Sequence, residues 1–194
     1  MCLARAPMAV AADGGAGALL RAGIAPVAVI GDLDSIGADA LEAFGDLLNE
    51  VRDQDTTDFE KCLTRVRAPL VLAAGFLGGR LDHTLATLAG LARLRAHHVV
   101  LVGREEVCVL ARPGRSRIAA PVGTRVAVMP LGPVVASSDG LKWDMDRMPL
   151  APAGRVSSSN RAVRDLIRLE IDGPALILLE RAALDGATDY ALGR

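Results

Sequence analysis

Several residue types that mark particular protein classes are scarce in this chain. Its 194 residues include one Trp, one Tyr, three Phe, three Cys and only two lysines, Lys61 and Lys142. The cysteines Cys2, Cys62 and Cys108 are odd in number and far apart, with no C-x-x-C pair. This pattern argues against a disulfide framework and a structural zinc site, and we expect a reducing, cytoplasmic environment.

Long apolar runs and a surplus of one charge are also missing. Apolar stretches such as residues 70–74 fall far short of the roughly 18 residues that a membrane span needs. The first residues lack a charged segment followed by an apolar one, so we do not expect a secretory signal. The 22 basic and 23 acidic side chains give a net charge of −1, which argues against binding nucleic acid through bulk positive charge. Hydrophobic residues make up 51% of the chain, so a folded core is expected.

Apolar patterning divides the chain into two halves. In the first half, strands are predicted at residues 8–12, 27–30, 70–74 and 99–102, and helices at residues 16–22, 38–49, 57 to about 66, and 82–94. Strands that alternate with helices predict a mostly parallel sheet covered by helices. We therefore expect an N-terminal α/β domain over residues 1–104.

Helical periodicity fades from residue 106 onward. Strands separated by Pro/Gly turns are predicted at residues 107–111, 125–131, 166–171 and 175–180. Residues 166–171 partly alternate between apolar and polar, as a half-buried strand does. We expect a C-terminal all-β sandwich domain over residues 105–194.

Two carboxylates directly follow the second predicted strand. Asp32 and Asp34 belong to the sequence G-D-L-D-S at residues 31–35, and parallel α/β sheets bind ligands at the carboxyl ends of their strands. Two carboxylates about 4 Å apart repel by roughly 4 kcal/mol at an effective dielectric constant near 20, and a cation removes that repulsion. Mg²⁺ commonly takes one or two protein carboxylates plus substrate phosphates. The pattern is consistent with a magnesium site, but alone it fits a solvated acidic turn better.

A second acidic cluster occupies residues 53–58, ahead of a predicted helix. Asp55 and Asp58 fit ordinary helix caps favoured by the helix dipole, but capping leaves Asp53 unexplained. If this loop faces the G-D-L-D-S loop, the two sets of carboxylates form one metal site. Lys61 is then available to hold a phosphate oxygen.

Glycine-containing loops follow two other predicted strands. In residues 78–83, the glycines allow close backbone approach to an anion, the helix start offers free N–H groups, and Arg80 offers a planar fork for phosphate. Asp82 also fits a helix N-cap and His83 a surface residue. Residues 13–15 form a similar Asp-Gly-Gly loop. Walker, G-x-G-x-x-G and G-x-S-x-G motifs are missing, which argues against P-loop, Rossmann and serine-hydrolase sites.

These loops, in this order, resemble the motifs of the thiamin pyrophosphokinase family. The matching segments are residues 12–16, 31–36, 53–61 and 78–85 in the first half, and residues 140–143 and 157–160 in the second. Each segment alone is weak, but six in the same order cover nearly the whole chain. The resemblance is therefore specific.

The resemblance implies an enzyme that moves a diphosphate group from ATP to the hydroxyl of thiamin, giving thiamin diphosphate and AMP. Mg²⁺ would be its cofactor. The first domain would bind ATP and carry the catalytic residues, and the β-sandwich would bind thiamin. Family members are homodimers, so two subunits are expected to share each active site.

The same resemblance implies roles for individual residues. The catalytic residues would be Asp32, Asp34, Asp58 and Arg80, and the metal ligands would be Asp32, Asp34, Asp55 and Asp58. ATP would be bound by Asp13, Gly14, Thr57, Lys61, Arg80, Asp82 and His83. Thiamin would be bound by Trp143, Ser157, Ser159 and Asn160. An ordinary position in the sandwich core is the alternative for the single Trp.

Two positions depart from the pattern of the family. Members usually have a further strand and a glycine-containing loop ahead of Asp-Gly-Gly, whereas only residues 1–7 precede the first strand predicted here. We expect that this opening unit is absent or that the true start lies upstream. Thr87 stands where the family often carries Asn, which keeps a hydrogen-bonding group but not an amide.

Two other functions fit parts of this sequence. A diphosphokinase acting on a hydroxymethyl pterin would share the acidic loops without needing a thiamin pocket. A non-catalytic binder of thiamin or nucleotide would fit the short N-terminus. Formation of AMP with one alcohol, the other or neither distinguishes the three.

Overall fold

The computed structural model describes all 194 residues. The chain divides into two compact units, Met1–Ala68 and Pro69–Arg194. None of its helices combines the length and the apolar character needed to cross a bilayer.

The first unit is a small parallel sheet with helices between its strands. Its strands are β1 (Val10–Ala12), β2 (Ala28–Gly31) and β3 (Leu48–Glu50), and its helices are α1 (Gly15–Arg21), α2 (Ala38–Phe44) and α3 (Asp58–Arg65). The strands lie in the order β1-β2-β3, and both pairings are parallel. Ala11, Ala16, Val29, Ala40 and Phe44 form the buried core of this unit.

One predicted helix of this unit is shorter than its apolar pattern suggested. The leucine spacing predicted a helix over residues 38–49, but α2 ends at Phe44 and a 3-10 turn, Gly45–Leu47, leads into β3. Leu47 and Leu48 still pack against the core. Leu48 does so as a strand residue opposite Val29, so pairing with β2 replaces the last predicted helical turn.

The second unit begins with two parallel strands and then becomes mostly antiparallel. The first strands are β4 (Val71–Ala74) and β5 (Val99–Val102), joined through helix α4 (Leu81–Arg93). The later elements are β6 (Glu106–Leu110), β7 (Gly114–Ala119), β8 (Arg125–Pro130), β9 (Val134–Asp139), β10 (Met148–Leu150), β11 (Ser157–Arg161), β12 (Leu166–Asp172), β13 (Ala175–Glu180), the 3-10 turn Arg181–Ala183 and α5 (Leu184–Leu192).

These strands form two sheets with buried apolar faces. One sheet has the order β10-β9-β12-β7, and the other has the order β11-β8-β13-β6-β5-β4. In β12, Ile167, Leu169 and Ile171 are buried while Arg168 and Glu170 are exposed, which confirms the alternation in the sequence. The predicted fold class, α/β followed by an all-β part, is confirmed.

The six-stranded sheet runs across the domain boundary predicted from the sequence. Strand β5 pairs with β6 in an antiparallel ladder that joins Val100 to Val109, so residues on both sides of position 104 belong to one sheet. The chain instead divides into its two compact units between Ala68 and Pro69. A functional division into residues 1–104 and 105–194 stays a prediction.

The C-terminal helix α5 was not expected from the sequence. It packs against β5, β6, β7 and β13 and buries Leu184, Ala187, Tyr190 and Ala191. These four residues fall at helical spacing, but the run is short and follows a series of strands. The two sheets of this part agree with the predicted all-β fold, and α5 is a terminal helix that the apolar pattern did not predict.

We predict that Gly186→Ala destabilises the protein, although alanine normally favours a helix by about 1 kcal/mol. A Cβ atom at Gly186 would overlap the carbonyl oxygen of Ala119, where α5 lies against β7. We expect the free energy of unfolding to fall by about 1–3 kcal/mol, measured from urea denaturation.

The matched control is Gly17→Ala in α1. The nearest atom to its added Cβ is the mobile end of the Arg21 side chain at 3.4 Å, so this variant should be neutral or slightly stabilised. An equal loss of stability in both variants would contradict the packing of α5 described above.

Candidate active site

The Asp-Gly-Gly loop at residues 13–15 and the G-D-L-D-S loop at residues 31–35 lie side by side, because the strands that lead into them, β1 and β2, are adjacent and parallel. Ala12 lies opposite Ile30, so Asp13 and Asp32 leave the same edge of the sheet. The approach is close, because a Cβ atom on Gly31 would lie only 2.6 Å from the Asp13 Cβ. Glycine at position 31 is thus required for Asp13 to turn towards the G-D-L-D-S loop.

Asp13, Asp32 and Asp34 form a compact carboxylate cluster. Each can place one carboxylate oxygen so that all three lie within 4.8 Å of one another. Asp13 is buried, and its Oδ2 accepts a hydrogen bond of 3.2 Å from the Ser35 N–H. Its Oδ1 is buried and has no hydrogen-bond partner.

This cluster fits a divalent cation in its chemistry. Burial, and secondarily the charge of Asp58, raise the pKa of Asp13, so its charged form is disfavoured without a positive partner. Carboxylate oxygens are the ligands that Mg²⁺ prefers, usually together with substrate phosphates. An unpartnered, buried Asp13 Oδ1 is the atom that such a cation would satisfy.

Lys61 balances part of this negative charge from helix α3. Its ammonium lies 2.7 Å from Asp32 Oδ2 and 3.1 Å from Asp58 Oδ1, and its side chain is only 3% exposed. The hydrogen bond from Lys61 is the main cause of a lowered pKa at Asp32. Burial opposes the charge on Lys61, but its two carboxylate partners outweigh burial and raise its pKa. The ammonium expected to hold phosphate is thus bound to two carboxylates here.

The start of α3 fixes where Lys61 projects. Thr57 caps the helix in a capping box, in which its side chain accepts from the Glu60 N–H while the Glu60 carboxylate accepts from the Thr57 N–H. The sequence T-D-F-E at residues 57–60 has the pattern of such a box, a Thr followed three residues later by a Glu, and the structure confirms that interpretation. It places Lys61 one turn into the helix, on the side of Asp32.

The acidic loop before α3 has a structural explanation. Asp53 accepts hydrogen bonds from the Asp55 N–H at 2.9 Å and the Thr56 hydroxyl at 2.8 Å. Asp55 is exposed and lies outside the three-carboxylate cluster, and Asp58 is bound to Lys61. The sequence analysis assigned Asp13 to ATP and not to the metal. Its place in the carboxylate cluster depends on the pairing of β1 with β2, which the sequence alone did not reveal.

Gly14 lies where the two loops touch. It is exposed and precedes α1, and a Cβ atom there would lie 3.0 Å from the Ser35 carbonyl oxygen. A larger residue would push the Asp13 loop away from the Asp34–Ser35 loop.

In the second unit, Arg80 and Asp82 pair with each other at the start of α4. The guanidinium makes two bonds to the carboxylate, at 3.2 Å and 2.6 Å, and both side chains are largely exposed. His83 is exposed as well. Thr87 is buried and donates to the His83 carbonyl at 2.9 Å, so its hydroxyl serves the helix itself.

The candidate thiamin residues lie together in the second unit. Trp143 is 58% exposed, so its alternative placement in the sandwich core is wrong. Asn160 is buried and hydrogen-bonds both backbone groups of Trp143. Ser157 and Ser159 lie on the same strand, β11, with Ser159 in a left-handed conformation at φ 56°.

Two of the three cysteines, Cys62 and Cys108, are poorly suited to act as nucleophiles. Burial raises the pKa of both Cys62 and Cys108 to about 12, so their thiols stay protonated at neutral pH. All three cysteines are free.

Comparison with known proteins gives this arrangement a family. The family model for the thiamin pyrophosphokinase catalytic domain matches residues 2–102, and the model for the thiamin pyrophosphokinase vitamin B1 binding domain matches residues 116–176. The chain belongs to the thiamin pyrophosphokinase family. Both matches agree with the resemblance found in the motifs.

Individual relatives of the thiamin pyrophosphokinase family agree. Thiamine pyrophosphokinase 2 of Arabidopsis thaliana is 31% identical over 170 residues, which cover 78% of this chain and 64% of the relative. The chain thus spans about two thirds of the length of that relative. A thiamin pyrophosphokinase structure from Geobacillus thermodenitrificans has a TM-score of 0.75 at 25% identity, covering 88% of this chain and 84% of the other.

A more distant structure shows the same fold. Thiamin pyrophosphokinase from Candida albicans superposes with a TM-score of 0.78 at 20% identity, covering 89% of this chain and 82% of the other. The architecture described above is therefore that of solved members of the thiamin pyrophosphokinase family.

We predict that Asp13→Asn stabilises the protein without Mg²⁺ and removes most of its stabilisation by Mg²⁺. A carboxyl whose pKa is raised on folding destabilises the fold at pH values above its unfolded pKa, and this effect vanishes as the pH falls below both values. The destabilisation is fully present above the folded-state pKa, so its removal should raise the melting temperature by a few degrees in that pH range. Asparagine also tolerates the positive φ of 40° at this position.

Asp55→Asn is the matched control, because Asp55 lies outside the cluster. Melting temperatures are measured for both variants with and without millimolar Mg²⁺. A normal Mg²⁺ response in Asp13→Asn, together with a lost response in Asp55→Asn, would move the metal site to the loop before α3.

Proposed function

We propose that this protein is a thiamin pyrophosphokinase that transfers a diphosphate group from ATP to the hydroxyl oxygen of thiamin. The observation that carries this proposal is the Asp13, Asp32 and Asp34 cluster, with its unpartnered buried oxygen, in a chain of this family. Such a cluster suits a metal–phosphate complex. It has no evident use in a protein that binds thiamin alone.

The first unit contributes charge and position to the reaction. Asp13, Asp32 and Asp34 would hold Mg²⁺, which neutralises phosphate charge when bound. Lys61 keeps Asp32 ionised and in place through its 2.7 Å bond. Asp58 in turn holds Lys61, so we assign both a role in shaping the site rather than in contacting the reacting phosphorus.

The transfer proceeds directly between the two substrates. The thiamin hydroxyl oxygen attacks the β-phosphorus of ATP, the bond between that phosphorus and the bridging oxygen of AMP breaks, and the hydroxyl proton passes to solvent as AMP leaves, so no protein nucleophile is needed. The high pKa of Cys62 and Cys108 agrees with this scheme. Positioning and electrostatic stabilisation account for most catalysis of this kind.

The proposed nucleotide contacts come from the family resemblance. Thr57, Gly14, Arg80, Asp82 and His83 would serve ATP and its phosphates. The exposed, planar guanidinium of Arg80 is suited to a phosphate group, and its present partner Asp82 is exposed enough to be exchanged for one.

The proposed thiamin contacts centre on Trp143. Thiamin is a cation with two aromatic rings, and an exposed indole face attracts such a ligand. The Lys142 ammonium lies 4.7 Å from the centre of this ring, a cation–π contact that a thiamin cation on the same face would replace. Ser157 and Ser159 on β11 are the neighbouring candidates.

The setting of the enzyme is inferred from its chemistry. Three unpaired thiols suit a reducing cytoplasm. We also propose a homodimer with shared active sites, which the family resemblance implies. In such a dimer, two-fold symmetry gives two equivalent sites.

The test of this function is formation of AMP. The protein is incubated with ATP and Mg²⁺ together with thiamin, with a hydroxymethyl pterin, or with neither. We expect AMP to form only in the incubation that contains thiamin. In Asp34→Asn, turnover should be lower by a factor on the order of 10²–10³. AMP with the pterin only would establish the alternative diphosphokinase, and thiamin binding without AMP would establish a non-catalytic binder.

The shared-site proposal predicts complementation between Asp34→Asn, which is impaired in turnover, and Trp143→Ala, which is impaired in thiamin binding, with activity measured at a thiamin concentration far below the KM of Trp143→Ala. An Asp34→Asn chain mixed with a Trp143→Ala chain forms mixed dimers in which one site carries both substitutions and the other carries neither. With equal amounts and free exchange, about one quarter of wild-type activity should return.

The control pairs Asp34→Asn with Asp32→Asn. Both substitutions lie in the same acidic loop, so every site in their mixed dimer is damaged and no activity should return. Absence of rescue in the first mixture, despite demonstrated subunit exchange, would place each site within a single chain.

A further inference from the structure

We infer that Asn160 and Asp144 are positioning residues that hold Trp143 in place for thiamin without contacting it. This inference rests on the proposed function for its ligand. It revises the role expected of Asn160 and assigns one to Asp144, a residue that no motif singled out.

Asn160 clamps Trp143 through both of its backbone groups. Its Oδ1 accepts from the Trp143 N–H at 3.1 Å, and its Nδ2 donates to the Trp143 carbonyl at 2.8 Å. The same Oδ1 also accepts from the Arg161 N–H at 2.9 Å. Three of the four hydrogen bonds available to the amide are therefore used within the protein, and the side chain is only 4% exposed.

An irregularity in β11 brings Asn160 to this position. The pairing of β11 with β8 shifts register between Ser157 and Asn160, and Ser159 takes a left-handed conformation. A bulge of this kind redirects side chains, and here Asn160 is buried while Ser158 and Ser159 are exposed. A non-glycine residue at positive φ is uncommon and marks a position that its surroundings hold in place.

Asp144 fixes the turn that leads to Trp143. Its Oδ1 accepts from the Ser138 hydroxyl at 2.9 Å and the Leu141 N–H at 3.0 Å. The Ser138 oxygen in turn accepts from the Met145 N–H at 2.9 Å. The turn begins at Gly140, whose φ of 108° and close approach to the Leu166 carbonyl exclude a side chain. The segment that carries Trp143 is thus held by Asp144 and Ser138 at its turn and by Asn160 at Trp143 itself.

The contrast between backbone and side chain points to a ligand. The backbone of Trp143 is held by a buried amide, yet its indole lies mostly in solvent against Lys142. A rigid backbone that presents a large aromatic face lowers the entropy lost when a ligand stacks on it. The two polar side chains therefore prepare the indole to receive a cationic ring.

The experiment uses Trp143 as its own probe, because it is the only Trp in the chain. Fluorescence anisotropy and acrylamide quenching are measured for Asn160→Asp and Asp144→Ala, alongside KM for thiamin and for ATP. Asn160→Asp keeps the acceptor oxygen but replaces the donor that faces the Trp143 carbonyl. Asp144→Asn is the conservative variant, since its amide oxygen can keep the bonds to Ser138 and Leu141.

The control for general loss of stability is Tyr190→Phe. Its buried hydroxyl accepts from the Arg112 N–H at 2.7 Å, elsewhere in the second unit. We expect lower anisotropy, stronger quenching and a rise in thiamin KM of about tenfold in Asn160→Asp and Asp144→Ala. ATP KM should change by less than about twofold, Asp144→Asn should recover most of the effect, and the control should resemble the wild type.

The sign of the Asn160→Asp effect separates positioning from contact. If Asn160 touched the thiamin cation, an added negative charge would maintain or strengthen thiamin binding. The inference is wrong if the thiamin KM changes while anisotropy and quenching of Trp143 stay as in the wild type. It is also wrong if anisotropy falls and quenching rises while the thiamin KM stays unchanged. If the wild type forms no AMP from thiamin, the proposed function is wrong. If anisotropy and quenching are unchanged in both Asn160→Asp and Asp144→Ala, these two residues do not hold Trp143 in place, whatever the function.

Discussion

The bridging of Asp32 and Asp58 by Lys61 is the interaction on which the candidate site depends. Four carboxylates, those of Asp13, Asp32, Asp34 and Asp58, belong to a unit of only residues 1–68, and Lys61 is the buried cation among them. Removing one partner of a buried ion pair typically costs about 3–5 kcal/mol, and less where a partner keeps contact with water, as Asp58 does. Lys61 thus makes the acidic edge compatible with folding but leaves Asp13 Oδ1 unpaired.

Local signals in the sequence were sufficient for parts of this site. The capping box at Thr57 involves only residues within one helical turn, so the local amino-acid sequence was sufficient to predict its hydrogen bonds. The place of Asp13 could not be found in that way. It depends on the pairing of Ala12 with Ile30 and on the missing side chain of Gly31, two contacts between segments distant in sequence.

The same distinction explains which strands could be predicted. Strands β5 and β13 match residues 99–102 and 175–180, because both are continuous apolar runs inside a sheet. Strands β3, β7, β9, β10 and β11 went unpredicted, and all of them except β9 are edge strands with polar or short sequences. Edge strands are often polar because that protects them from pairing with other chains, so their pattern resembles a loop. In helix α4, Leu85 lies at helical spacing from Leu88 and Leu91 but is exposed, so the spacing predicted the helix without identifying which leucines are buried.

Both candidate binding features keep polar groups in positions that are unfavourable without a ligand. Asp13 has positive φ, a raised pKa and a buried oxygen without a partner, and Ser159 has positive φ beside the amide that holds an exposed indole. Features of this kind persist only when the surrounding structure holds them. Transfer of a phosphate group depends mainly on the placement of charges and reactants. A chain that bears the energetic cost of placing these groups in the folded state need not order them during the reaction. The strained positions are therefore an expected consequence of the chemistry, and they lie on loops and an edge strand, where the cores of the two units are least disturbed.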